Sequence, residues 1–212
     1  MGYVKGKSVL HLDHIAVACE SLEEGRAWVE ERLGKSMQAG GKHTRFSTHN
    51  LLLGLDDGIY IELIAIDPTA PDPGRRRWFD LDEFSGVPKL TNWICATDDL
   101  ADALALAPVE MGEPFTAQRG DLRWQFVGGQ DGRLPFGGGY PAIIDWGNSV
   151  HPSTRLPATG LRLERLEITN PEAAALRRAL TPMLSDSRIV IETGERAMRA
   201  VFSSAEGQKV LT

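Results

Sequence analysis

The chain has 212 residues, 42 % of them apolar and 25 % charged, with a net charge of −6. That balance suits a globular protein of one large domain or two small ones, and its acidity argues against nucleic acid or an anionic membrane as partner. No apolar run approaches the roughly 18 residues of a membrane span, residues 1–14 lack the apolar stretch of a signal peptide, and Cys19 and Cys95 follow no zinc or redox spacing. A cytoplasmic location is the expectation.

In chain order, residues 12–19 (Leu-Asp-His-Ile-Ala-Val-Ala-Cys) are short and β-branched, hence a strand. Ser21 then caps a helix whose apolar stripe is Leu22, Ala27, Trp28 and Leu33 and which Gly34 ends. After a turn at Gly40-Gly41, extended runs are expected at 44–48 and 50–55. A hairpin follows at Asp56-Asp57-Gly58, and then an apolar strand over 59–66. The order is β-α-β-β-β.

Residues 90–100 repeat the opening with an offset of 78 and no gap, pairing Leu12 with Leu90, His14 with Asn92 and Ala18 with Ala96. A short helix is expected over 99–107 and strands near 122–127 and 141–146. A third, partial copy starts at 161, with a helix over 171–184 and strands at 189–193 and 197–203. One such module leaves sheet edges and an apolar face open, so a partner module is expected beside it. The expectation is an α+β fold of paired βαβββ modules with curved mixed sheets around a cleft, plus a partial third βαββ repeat at the C-terminus. Its parts are residues 1–66 for the first module, 67–89 for a Pro-, Gly- and charge-rich linker carrying Arg75-Arg76-Arg77, 90–150 for the second, and 151–212 for the third, packed on the same domain.

Side chains alternate across a strand, so His14, Ala16 and Ala18 share the face opposite Asp13, Ile15, Val17 and Cys19. In the fourth strand Tyr60, Glu62 and Ile64 share a face. A carboxylate in so apolar a strand needs a proton, a partner or a metal. His14 is its natural neighbour. The two side chains could begin a Zn, Ni, Mn or Fe site, or satisfy each other as a hydrogen-bonded core pair. Asp145 is the carboxylate available from the second copy, either as a third ligand or as a strand-end acceptor of backbone hydrogen bonds. His49 is a candidate fourth ligand or general base, and Glu62, where no metal holds it, a candidate to move a proton as well. His43 is expected to be exposed after its glycine turn, and His151 to start a loop at the cleft mouth or on the surface. Arg45, Asn50, Asn92, Trp93, Trp146 and His151 are the expected substrate contacts, with Arg75 and Arg77 as further charge partners for an acidic substrate. The glycines at 128–129 and 137–139 lack the following Lys-Ser/Thr of a phosphate loop.

Residues 12–18, with Ser21-Leu22 after them, resemble the opening of a vicinal-oxygen-chelate module. More narrowly, residues 40–43, 48–52, 60–64, 141–146 and 151–153 are similar to the bacterial glyoxalase-like domain family. The resemblance implies a divalent metal on His14 and Glu62, and a lyase, isomerase or dioxygenase acting on vicinal oxygens of a small molecule. It also leaves open a metal-free binding protein of the bleomycin-resistance type, and pairing of two chains as a homodimer. Asn92 departs from the pattern, since the relatives place a second histidine there.

Overall fold

The computed structural model describes residues 9–212; the opening segment 1–8, part of the stretch read for a signal peptide, lies outside the described residues. The first module is β1 (His11–Ala18), α1 (Leu22–Leu33), β2 (Gln38–His43), β3 (Thr48–Gly54) and β4 (Tyr60–Ile66). The second is β5 (Lys89–Ala96), α2 (Leu100–Leu106), β6 (Phe115–Arg119), β7 (Leu122–Val127) and β8 (Ala142–Asp145). The third is β9 (Arg162–Thr169), α3 (Ala173–Leu180), β10 (Ile189–Glu192), β11 (Ala197–Ser204) and β12 (Gly207–Leu211), one strand more than the three expected.

The first two modules form one eight-stranded sheet in the order β2-β3-β4-β1-β5-β8-β7-β6, and the third makes its own four-stranded sheet, β10-β9-β11-β12. The inner strands show how the halves are related. β1 runs parallel to β4, β5 runs parallel to β8, and β1 and β5 meet antiparallel with Ile15 opposite Trp93. The sequence repeat pairs those same two residues, so the Ile15/Trp93 pair marks a pseudo-two-fold between the modules. The sheet curls until β6 reaches back across β2 and β3, where an Arg119 guanidinium N–H donates to Asn50 Oδ1 at 3.2 Å.

Local chemistry sets these elements. The Ser21 hydroxyl accepts the Glu24 N–H at 3.2 Å, and Gly34 ends α1 at φ 68°, a left-handed position that costs glycine little. Gly25 lets α1 sit on the sheet, because a Cβ there would come within 2.6 Å of Cys19 Sγ and 2.7 Å of Leu63. One apolar core, including Ile15, Val17, Ile61, Leu63, Trp93 and Phe202, runs through all three repeats. Both cysteines are free and buried in it. Among the described residues no helix is long and apolar enough to cross a membrane.

Two expected elements shift. Gly40-Gly41 is not a turn but the middle of β2, and residues 44–47 form the turn instead. The glycines are needed in the strand because the Asn50 amide lies against Gly40 and the Arg119 side chain against Gly41; a Cβ at either would collide with them. β6 has little signature in the sequence because it is half-exposed and carries only Phe115 and Ala117 as apolar residues, although the turn glycine Gly120, at φ 59°, marks its end.

Candidate functional site

β1 does not run as a regular strand. Its pairing with β5 slips between Leu12 and His14, leaving Asp13 as an extra, bulged residue. A bulge defeats strict alternation, so two successive side chains reach the same side. Asp13 therefore does not join Ile15 and Val17 under the helix, as alternation predicts. Its Oδ1 instead accepts from His14 Nδ1 at 2.5 Å. Its Oδ2 accepts from Trp146 Nε1 at 2.8 Å and from His151 Nε2 at 3.0 Å.

His14 and Glu62 lie across the parallel β1–β4 pair, with His14 Nε2 3.5 Å from Glu62 Oε2. Asn50, on β3, donates from Nδ2 to Glu62 Oε1 at 2.5 Å, and its Oδ1 accepts from Gly41 N at 2.8 Å and from Arg119. The result is one connected chain, Arg119–Asn50–Glu62–His14–Asp13–His151. His14, Asn50, Glu62 and Asp13 are all buried. Tyr60 stacks on the His14 ring at 4.4 Å between centroids.

His43 completes the site from β2. It is 5 % exposed, against the expectation of a surface histidine, because the strand continues through the two glycines and turns the ring inward. Its Nδ1 lies 3.1 Å from Thr48 Oγ1 and its Nε2 3.5 Å from Asn50 Nδ2. His14, His43, Glu62 and Arg119 border a cavity of about 20 Å³ walled by Trp78, Phe79, Trp124 and Trp146. That space accommodates about one water molecule.

The charges follow from these contacts. Burial alone lowers a histidine, but hydrogen bonds to Asp13 and Glu62, and their negative charge, raise His14 to about 9. It is an imidazolium at neutral pH. Burial alone raises a carboxylate, but the His14 hydrogen bond and charge bring Glu62 down to about 2. Asp13, likewise desolvated, is carried below the ordinary carboxylate range by its hydrogen bonds from His14 and His151. His43 goes the other way: burial, only partly opposed by the Glu62 charge, lowers it to about 4 and keeps it neutral.

Of the residues expected from sequence, His14, Glu62, Asn50, Trp146 and His151 are brought together. Asp145 is not. Ile144 and Trp146 line the cavity, and Asp145 between them turns to the outer face, where Oδ1 accepts the Gly147 N–H at 2.8 Å. The strand register explains this: Ala142 stands opposite Ile94 in β8 as Glu62 stands opposite Ala16 in β4, so the Glu62 counterpart is an alanine. His49 points away from Asn50 toward Lys42 and Asp67, its Nε2 buried without a hydrogen-bond partner. Arg45 is exposed and lies 4.7 Å over the Phe115 ring. Arg77 is held by Asp82 at 2.5 Å. Trp93 is a core residue whose indole N–H donates to Gly139 O at 3.0 Å. Asn92 lines a different cavity. Asp13, His43 and Arg119 carry no site signature in the sequence. Only an alternation-breaking bulge, a strand passing through two glycines and an overlooked edge strand bring Asp13, His43 and Arg119 here.

A divalent ion requires about three or four protein donors around one centre. His14 Nε2 and Glu62 supply two; His43 borders the same cavity, but its ring nitrogens lie against Thr48 Oγ1 and Asn50 Nδ2, Asp145 faces outward, and Asn92 stands where a second histidine would. Among the described residues no three His, Cys, Asp or Glu side chains converge to hold a metal. This donor set does not fit a resident divalent ion.

Comparison with known proteins places these features in a family. A model described as "Glyoxalase-like domain" matches residues 12–184. A crystal structure of a hypothetical protein from Staphylococcus aureus superposes with a TM-score of 0.63 at 16 % identity, covering 89 % of this chain and 88 % of that one. Methylmalonyl-CoA epimerase from Mycobacterium tuberculosis gives 0.43 at 19 % identity, over 70 % of this chain and 95 % of that one. A fusion of a xylose isomerase-like TIM barrel with 4-hydroxyphenylpyruvate dioxygenase gives 0.49 at 18 %, over 95 % and 31 %. Among proteins of curated function, none matches the sequence. At these identities the structural likenesses speak for the fold alone. With the family model spanning most of its length, the chain belongs to the glyoxalase-like domain family.

Proposed function

We propose that the chain is an enzyme that moves a proton on a small, oxygen-bearing organic substrate, with His14 and His43 as the acid and base and Arg119 holding a substrate oxygen. The observation that carries this reading is the asymmetry at His14. Nδ1 is tied tightly to Asp13 at 2.5 Å, while Nε2 has only the 3.5 Å contact with Glu62 and faces the cavity. An N–H fixed from behind and loosely engaged in front is available to a substrate oxygen.

Two titratable groups on one cavity whose surroundings drive them apart are the signature of an acid–base pair. His14 enters the reaction protonated and His43 neutral. With a carbonyl oxygen on His14 Nε2–H, His43 Nε2 takes the proton from the adjacent carbon. The C–H electron pair moves into the carbonyl, and the resulting enolate oxygen is met by His14 and Arg119. Return of the proton to the face it left regenerates the substrate with its hydrogen exchanged, and delivery to the opposite face gives the epimer. Glu62, already ionised, balances the imidazolium. The present cavity holds only about one water, so a substrate reaches the pair when Trp78 and Phe79 swing aside. Both belong to the linker, where Phe79 and Asp80 sit at φ 60° and 55°.

The test is deuterium uptake at the carbon beside the carbonyl (C2 of 2-hydroxy and 3-keto acids, C3 of 2-keto acids) across a panel of these acids in D2O, followed by NMR. Uptake that falls at least 100-fold in both His14→Gln and His43→Gln supports the reading; no uptake, or uptake surviving in both variants, overturns it. Tight binding without exchange returns the alternative of a sequestering protein. Because a carboxylate on Nδ1 also sharpens a histidine as a ligand, metal content is measured on the same samples. Stoichiometric metal lost in His14→Gln overturns the metal-free assignment.

A further inference from the structure

A second cavity, far larger than the one beside His14, opens elsewhere in the fold. It measures about 960 Å³ and lies at the start of β5, between the linker, the 132–139 loop and the ends of β9 and β11. The two cavities share one lining residue, Phe79. We infer that this cavity is a second small-molecule site, built for an aromatic anion that carries an N–H or O–H donor.

Buried polar atoms mark it. Asn92 is 4 % exposed and its Oδ1 has no hydrogen-bond partner; the Oγ1 of neighbouring Thr91 is buried without one as well. Both residues line the cavity. Leaving such an oxygen unsatisfied is costly, so a ligand donor that draws the Asn92 amide and the Thr91 hydroxyl round to the cavity relieves both. By the pseudo-two-fold, Thr91 and Asn92 occupy the places of Asp13 and His14. In the first module those two positions satisfy each other; in the second they do not.

Charge selects the sign of the ligand. Arg196 makes no ion pair among the described residues, and its guanidinium lies against Gly137, where a Cβ would come within 2.5 Å of it. Arg32 also lines the cavity, stacked 4.2 Å over Trp28. The two acids in the lining, Asp80 and Glu83, are both engaged by Arg76. Arg32 is itself paired with Glu31 at 3.5 Å, so the charge left without an ion pair in the lining, among the described residues, is that of Arg196 and Lys89, and it is positive. Trp28, Phe79 and Phe84 supply flat apolar walls, and Val87 stands 72 % exposed at the same cavity. A volume of this size suits a drug- or cofactor-sized molecule.

The probe is 8-anilinonaphthalene-1-sulfonate, an aromatic anion with one N–H, followed by its fluorescence. Saturable binding of one equivalent is expected, weakened at least fivefold in Arg196→Ala and in Asn92→Leu and unchanged in His14→Gln. Failure to saturate, unaltered affinity in the first two variants, or loss confined to His14→Gln overturns the assignment. Folding does not confound the result. Arg196 is exposed, and Asn92→Leu removes an unsatisfied buried amide, so it is expected to melt no lower than the parent chain. A lower melting temperature in Asn92→Leu would mean that the amide has a structural partner, and would overturn the assignment too.

Discussion

Equivalent strand pairs in the two halves of the large sheet carry opposite chemistry. In β1 and β4 the inward positions hold His14, Tyr60 and Glu62, joined to Asp13 and Asn50. In β5 and β8 the matching places are Asn92 and Ala142, and the half contributes Trp124, Phe126, Ile144 and Trp146 to the same cavity. One module brings the buried histidines and carboxylates, and the other brings the dry wall and, from its edge strand, Arg119. The low dielectric supplied by the second half is what gives the ionic chain of the first its strength, and also what makes any break in that chain costly.

The largest effect is expected from cutting the chain at Asp13. Asp13→Ala removes the acceptor shared by His14, Trp146 and His151 and leaves a buried imidazolium beside one carboxylate. A loss of about 3–5 kcal/mol follows, read from denaturant midpoints at neutral pH. A loss below about 1 kcal/mol would mean that the second half's wall does not desolvate the pair.

A smaller effect, confined to particular pH windows, separates the two histidines. His14 is raised from 6.5 to about 9, so its contribution is complete below pH 6.5 and disappears as the pH climbs through 9. His43 is lowered from 6.5 to about 4. The unfolded chain then binds a proton that the folded one refuses between those values, so stability falls as the pH drops through that window. Glu62 adds a loss only below its ordinary 4.5. Stability should peak near pH 6.5. His14→Gln should flatten the alkaline limb, and His43→Gln the limb between pH 6.5 and 4. Melting curves across pH 4–9 that lose the wrong limb would reverse the two assignments.

The smallest effect belongs to Asp145→Asn, which alters a half-exposed turn on the outer face. Stability within about 0.5 kcal/mol of the parent is expected, with unchanged deuterium uptake. A loss of uptake would restore Asp145 to the site.

Much of this architecture was legible in the chain. The 78-residue repeat, its modules and the apposition of His14 with Glu62 follow from periodicity, because a curved sheet with one buried face leaves few places for a histidine and a carboxylate. The rest required register. Alternation sends Asp13 to the wrong face because a bulge is invisible in residue types. Asp145 matched Glu62 by chemistry, whereas hydrogen-bond pairing gives that place to Ala142. His43 looked exposed because two glycines read as a turn until Asn50 and Arg119 were found lying across them. Arg119 rides on an edge strand too polar to announce itself.

The bulge at Asp13 also constrains anyone who would move this arrangement elsewhere. A histidine and a carboxylate adjacent in sequence can meet on one side of a β-ribbon only if the ribbon carries an unmatched residue between them and its neighbour. Grafted onto a regular strand, the same two letters would point in opposite directions and drive an ionised aspartate into the helix-packed layer. The transferable unit is therefore the irregular β1–β5 pairing itself, with its slip in register, and not a two-residue motif.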